Sequence, residues 1–189
     1  MTTPNQIMKT NAKENIHRTL VDLHACDSAQ KFASKFKTLK AALPKCDNPQ
    51  WLIWYLRRRG THTKAQWVGL AIFSARQVLG IFEKKNPADK RPRAAIKAAE
   101  KWLREPTEAN RKAAASAAAS ADSASADAYA ACAACAAADA AYAASAASAA
   151  SAASAACAAA YASTSAYAAR KTINVKVCNY IRKNFTFTE

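Results

Sequence analysis

Ala113 to Ala169 reads AAASAAASADSASADAYAACAACAAADAAYAASAASAASAASAACAAAYASTSAYAA, and the fold of the whole chain turns on how this stretch is interpreted. Of its 57 residues 36 are alanine, and none is Lys, Arg, Gly, Pro, Leu, Ile or Val. Alanine surrenders no side-chain entropy on entering a helix, so the stretch is expected to be helical along most of its length. A methyl group buries little apolar area. What alanine faces allow instead is close approach of helix axes, at or below the short end of the usual spacing of about 8–10 Å. The predicted fold class is therefore all-α: a multi-helix bundle with close-packed alanine-rich central and C-terminal helices, and bulkier flanks that supply most of the hydrophobic stabilisation.

A single helix through this stretch would be roughly 85 Å long at 1.5 Å per residue. A chain of 189 residues would fold such a rod back on itself, with breaks cued by Ser120-Ala-Asp122-Ser123-Ala-Ser125 and Ser163-Thr164-Ser165. Two or three antiparallel helices are expected. Tyr142, Ser145, Ser148, Ser151, Ser154 and Cys157 recur every three residues. Each step of three falls about 60° short of a helical turn, so the row winds around the helix and makes no flat serine face. Small serines between packed helices, bonded back to carbonyls one turn earlier, fit that pattern. Cys132-Ala-Ala-Cys135 has metal or redox spacing, but no second pair completes a zinc site, so these cysteines read as small packing residues.

Outward from the stretch, residues 1–11 read as a disordered polar start, 12–106 as bulky-core helices, and 107–185 as the alanine-rich helices with an amphipathic C-terminal helix, all in one domain. Ile16, Leu20 and Leu23 predict a helix ending near Cys26. Ser28 is placed as the cap of a second helix, with Phe32, Phe36, Leu39 and Leu43 as its stripe and Pro44 as its stop. Asn48-Pro49 opens a short helix over 50–59, with Trp51, Trp54 and Tyr55 on one side. Thr63 caps the core helix, 64–84, whose inward positions are Trp67, Leu70, Ala71, Ser74, Val78, Ile81 and Phe82. Asp89 caps the next helix, with Pro92 in its first turn, and Glu105-Pro106 ends it. From Arg170 to Phe185 a helix buries Ile173, Val177 and Ile181, and the chain frays from Thr186 onward.

The chain carries 28 basic against 13 acidic residues, a net +15. Ala113–Ala169 holds only Asp122, Asp127 and Asp139, so every base lies on the flanks, where the net is +18. Such a field favours anionic partners. The start at Met1 has no apolar signal-peptide core, so six reduced cysteines and a cytoplasmic location are expected. A membrane span is not expected in residues 128–160, which lack Leu, Ile, Val and Phe. His17 and His24, seven apart on one predicted helix face, and His62 show no metal spacing. Neither a nucleophile elbow nor a phosphate loop is present, and three glycines are too few for a Gly-rich cradle. No cofactor, no metal and no catalysis are expected.

Two basic clusters remain as candidate ligand-binding residues. The first joins Trp51, Trp54, Arg57 and Arg58 with Arg59, His62 and Lys64. The second joins Lys84 and Lys85 with Lys90, Arg91 and Arg93 around a helix start, whose free N–H groups and dipole favour an anion. Arginine forks beside indoles suit phosphates and bases together.

The run Pro87-Ala-Asp89-Lys-Arg91-Pro92-Arg93-Ala-Ala-Ile96-Lys-Ala-Ala-Glu-Lys-Trp102, preceded by Phe82-Glu83 and followed by an alanine-rich region closing on Tyr167-Ala-Ala-Arg170, resembles the alanine-rich immunity-protein family of bacteria and their phages. The resemblance covers residues 66–170. Members of that family intersperse their alanine helices with His and Arg, where this chain has Ser and Cys. The resemblance implies neutralisation of a toxin or immune effector by binding; for a phage member acting in the host cytoplasm, it implies countering host defence. The expectation is a non-enzymatic protein that sequesters an anionic partner, either a nucleotide-type signalling molecule or an acidic effector protein. The alternative is nucleic-acid binding through the same basic flanks. A symmetric dimer is the default oligomer.

Overall fold

The computed structural model describes residues 15–59, 62–122 and 167–187, and among these the fold is all-α with no strand. The chain divides into two compact units, one ending at Lys45 and the other beginning at Cys46. The alanine-rich helices and breaks expected between Ser123 and Ala166 lie outside the described residues, as do Cys132, Cys135, the serine row and the polar start.

The first unit contains α1 (Ile16–Asp22), α2 (Asp27–Ala33), α3 (Leu39–Ala42) and a 3₁₀ turn over Leu43–Lys45. Helix α1 ends four residues before Cys26. His24 takes φ 57°, its N–H bonds to Val21 O, and Ala25 N–H bonds to Leu20 O. This is a Schellman cap with histidine where glycine is usual. His17 and His24 therefore do not share a helix face. The single helix expected over residues 28–43 is also corrected: α2 begins at Asp27, not behind a Ser28 cap, and stops at Ala33. Thr38 then caps α3, its Oγ1 accepting from Ala41 N–H at 3.3 Å. A local side-chain cap offers the backbone a fresh start and competes with continuing the earlier helix.

The second unit contains α4 (Pro49–Arg59), α5 (Lys64–Lys85), α6 (Arg91–Arg104), α7 (Glu108–Asp122) and α8 (Tyr167–Asn184). Helix α5 begins with a capping box: Thr63 Oγ1 accepts from Gln66 N–H, and Gln66 Oε1 accepts from Thr63 N–H. Each of those bonds satisfies a donor the helix start would otherwise leave unpaired. Trp67, Leu70, Ala71, Ser74, Val78 and Phe82 are buried, while Ile81 is half-buried. Leu70, Val78 and Phe82 each contribute about 1.5–3 kcal/mol when fully buried, which makes α5 the apolar centre of the unit. The buried Ser74 hydroxyl donates to Leu70 O at 2.9 Å. By length and composition α5 would also suit a membrane span, but half of that window is buried inside the fold.

Small residues govern the next contact. Ala95 and Ala99 on α6 and Ala114, Ala118 and Ala121 on α7 are fully buried, and the α6–α7 contact is the most extensive between described helices. Methyl faces let these two backbones pack closely, as the composition implied. Helix α8 packs against α4 and α5, burying Ile173, Val177 and Ile181 one turn apart. Beyond it the chain does not fray at once. Phe185 lies 5.0 Å from Trp67, Phe187 stacks on Tyr55 at 6.3 Å, and Gln66 Nε2 donates to Asn184 O at 2.8 Å.

Candidate functional site

Helix α4 opens where Asn48 Oδ1 accepts Gln50 N–H at 3.1 Å and Pro49 occupies the first turn, where a missing N–H costs nothing. Its buried face is Leu52, Ile53, Tyr55 and Leu56. That register sends Tyr55 into the core and leaves Trp51 and Trp54, on the same side by spacing, half-buried. It also turns Arg57 and Arg58 outward. Trp54, Arg57 and Arg58 line one concavity of about 180 Å³. The Arg58 guanidinium carbon lies 5.6 Å from the Trp54 ring centroid, in cation–π range. Among the described residues neither Arg57 nor Arg58 has a carboxylate partner.

The rest of the first cluster is used elsewhere. His62 sits edge-on between Trp67, at 5.7 Å, and Phe185, at 5.1 Å. Burial there lowers its pKa, and its Nε2 has no hydrogen-bond partner among the described residues. It belongs to the packing around the chain's end and does not line the Trp54 concavity. Lys64 Nζ lies 4.5 Å from the Trp102 ring centroid, joining the start of α5 to α6.

In the second cluster Lys90, Arg91 and Arg93 are tied up internally. Arg93 donates through Nε and Nη2 to both oxygens of Glu83, each at 2.5 Å. Arg91 donates through Nε and Nη2 to Asp89, whose Oδ1 also accepts Arg91 N–H at 3.0 Å; the N-cap is Lys90, one residue after the expected Asp89, and has no side-chain cap bond. Those bonds hold the Glu83 and Asp89 carboxyls below their ordinary pKa values. Lys90 Nζ donates to Pro87 O at 2.6 Å. An internal carboxylate thus already occupies the helix start that was expected to draw an anion. The first cluster ends where α5 starts, and the second begins where α5 ends. The 22 residues of α5 span about 33 Å at 1.5 Å per residue, so the clusters form two places and not one.

Sequence reasoning missed a third feature. A trough of about 360 Å³ runs over α5 between α6 and α8, lined by Gly69, Ile72, Phe73 and Arg76 of α5, Glu100, Leu103 and Arg104 of α6, and Tyr180 of α8. Gly69, Phe73 and Arg76 stand at helical spacing on one stripe, a signal readable in sequence. Tyr180 is brought in by the fold alone. Among the described residues no three His, Cys, Asp or Glu side chains gather as a metal site needs. Cys46 and Cys178 are buried free thiols, and burial pushes Cys178 up to about 12, far from the thiolate chemistry of a nucleophile.

The chain matches no family model, no curated protein and no solved structure.

Proposed function

We propose that this is a non-enzymatic binding protein of the immunity or phage anti-defence kind, which sequesters an anionic partner through Trp54, Arg57 and Arg58. The observation that carries this reading is the pair of exposed arginines on one turn, without carboxylate partners among the described residues, lining one concavity with Trp54 and with Arg58 seated against its indole. Guanidinium forks bind phosphate or carboxylate oxygens bidentately, and the indole face adds a stacking surface for a ring. A net charge of +15 steers such partners inward. The concavity is smaller than the roughly 300 Å³ of a typical small-molecule pocket, so it grips one anionic group and leaves the rest of the partner outside. Both a nucleotide-type signal and an acidic effector surface fit that description, and the resemblance to immunity proteins agrees with either.

The test uses the full chain purified from immune-stimulated or infected cells, as wild type and as Arg57→Glu/Arg58→Glu. The wild type is expected to release an anionic small molecule on heating, identified by mass, or to co-purify with an acidic protein; the variant yields neither. Affinity for unrelated DNA or RNA that falls steeply with salt would make the protein a nucleic-acid binder instead. Turnover of an added nucleotide would overturn the non-enzymatic reading.

A further inference from the structure

Residues 28–45 hold five lysines, no arginine and no acid. Lys31, Lys35, Lys37, Lys40 and Lys45 are all exposed, and none has an ion-pair partner among the described residues. All five belong to the first compact unit, on α2, on α3 and in the turns that follow each. Arg91 and Arg93 close onto Asp89 and Glu83, but this run has no carboxylate of its own. The mutual repulsion of its charges is left for an anion outside the chain to relieve.

The same run sorts its apolar residues against their size. Ala29 and Ala33 of α2 and Leu39 and Ala42 of α3 are buried, whereas Phe32 and Phe36 stay half-buried. Phenylalanine is ordinarily among the most buried residue types. Lys35 N–H donates to Phe32 O at 3.3 Å and Phe36 N–H to Ala33 O at 2.9 Å, and this turn brings the two rings within 5.1 Å of each other. They are tilted at 49°, so they present no parallel pair of open faces on which successive bases would stack. Aromatic rings flanked by exposed lysines instead match the headgroup–acyl boundary of a bilayer, where the ring enters and the ammonium stays in water.

From five unpaired lysines around a half-buried phenylalanine pair we infer that the first unit docks peripherally on an anionic phospholipid surface. The negative surface potential of the leaflet holds the lysines, and Phe32 and Phe36 enter the headgroup boundary. Lysine suits this task because its compact point charge responds to diffuse negative charge, whereas the forks of Arg57 and Arg58 suit a single oxyanion. The mode is surface docking and not insertion: α1 and α2 have seven residues each, against about 20 for a helix that crosses a bilayer. The surface shares no residue with the Trp54 concavity and does not depend on the function proposed for it.

Co-sedimentation of the full chain with vesicles of phosphatidylcholine and phosphatidylserine in equal parts, against vesicles of phosphatidylcholine alone, tests this on the unmodified protein. The mixed vesicles are expected to bind at least a hundredfold more tightly, with affinity falling as salt rises. Each lysine near such a surface is worth about fivefold, so Lys31→Gln/Lys35→Gln/Lys37→Gln/Lys40→Gln should cost at least a hundredfold with helicity unchanged by circular dichroism. Removing four exposed cations elsewhere, Lys97→Gln/Lys101→Gln/Arg104→Gln/Lys112→Gln, should cost less than fivefold. Phe32→Ser/Phe36→Ser should abolish the binding that survives high salt. Equal affinity for the two kinds of vesicle, or equal losses in the two fourfold variants, overturns the inference. A single-stranded oligonucleotide that binds through the same four lysines more tightly than the mixed vesicles also overturns it. Vesicle binding lost in Arg57→Glu/Arg58→Glu but untouched by the Lys31–Lys40 variant overturns it while leaving the Trp54 reading in place.

Discussion

The two basic clusters are alike in composition and opposite in state. Lys90-Arg91-Pro92-Arg93 has acids within reach, Asp89 two residues before Arg91 and Glu83 ten residues before Arg93, and both arginines close onto them. Arg57-Arg58-Arg59 follows a run without acids, and the register of α4 aims Arg57 and Arg58 at water beside Trp54. The contrast teaches that a count of arginines does not locate an anion site. What matters is whether the fold has already supplied their anions.

Substitutions can break that contrast. Reversing both open charges, Arg57→Glu/Arg58→Glu, removes two charge-assisted contacts of about 1.5–3 kcal/mol each, so affinity for the anionic partner should fall at least a hundredfold. Arg91→Gln/Arg93→Gln should change it less than twofold in the same binding assay. Freeing the closed cluster sharpens the contrast from the other side. Glu83→Gln/Asp89→Asn should raise affinity for inorganic polyphosphate several-fold, measured at low salt where exposed charges are least screened. Trp54→Ala should weaken partner binding about two- to fivefold, the worth of an exposed cation–π contact of about 0.5–1 kcal/mol.

Acid separates the clusters again. Glu83 and Asp89 have folded pKa values below their ordinary ones, held there first by hydrogen bonds from Arg93 and Arg91. Their contribution to stability is complete above the ordinary carboxylate range near pH 4 and is lost as pH falls through the lowered folded values. These pairs are surface-exposed, so the loss in melting temperature should be small, and Glu83→Gln/Asp89→Asn should remove it. His62 behaves differently because burial lowers its pKa. Its contribution is complete above the ordinary histidine value of about 6.5 and is lost as pH drops through the depressed one. Melting curves between pH 7 and 5 should show this decline, and His62→Phe should flatten it.

Much of the fold was legible because its signals are local. Thr63 and Gln66 announce the start of α5 three residues apart, Pro92 marks the first turn of α6, and Ile173, Val177 and Ile181 name the buried face of α8. The breaks around Ala33 and Thr38 were not legible, because a continuous apolar stripe from Phe32 to Leu43 is compatible with one helix or two. The face of α4 was ambiguous for a related reason: six of its eleven residues are large and apolar, so period alone does not choose between Trp54 and Ile53 for the core. His62 looked like a ligand-binding residue beside Arg59 until Phe185, from the far end of the chain, was seen packed against it. The trough needed Tyr180 to be brought over Gly69, a long-range contact that no local pattern encodes.

The difference between open and closed arginines is tested most directly by their reactivity toward phenylglyoxal, followed site by site by mass spectrometry on the folded chain. Arg57 and Arg58 should react several-fold faster than Arg91 and Arg93, and inorganic polyphosphate should protect only the first pair. Equal rates at all four, or protection of Arg91 and Arg93 in preference, would contradict the account.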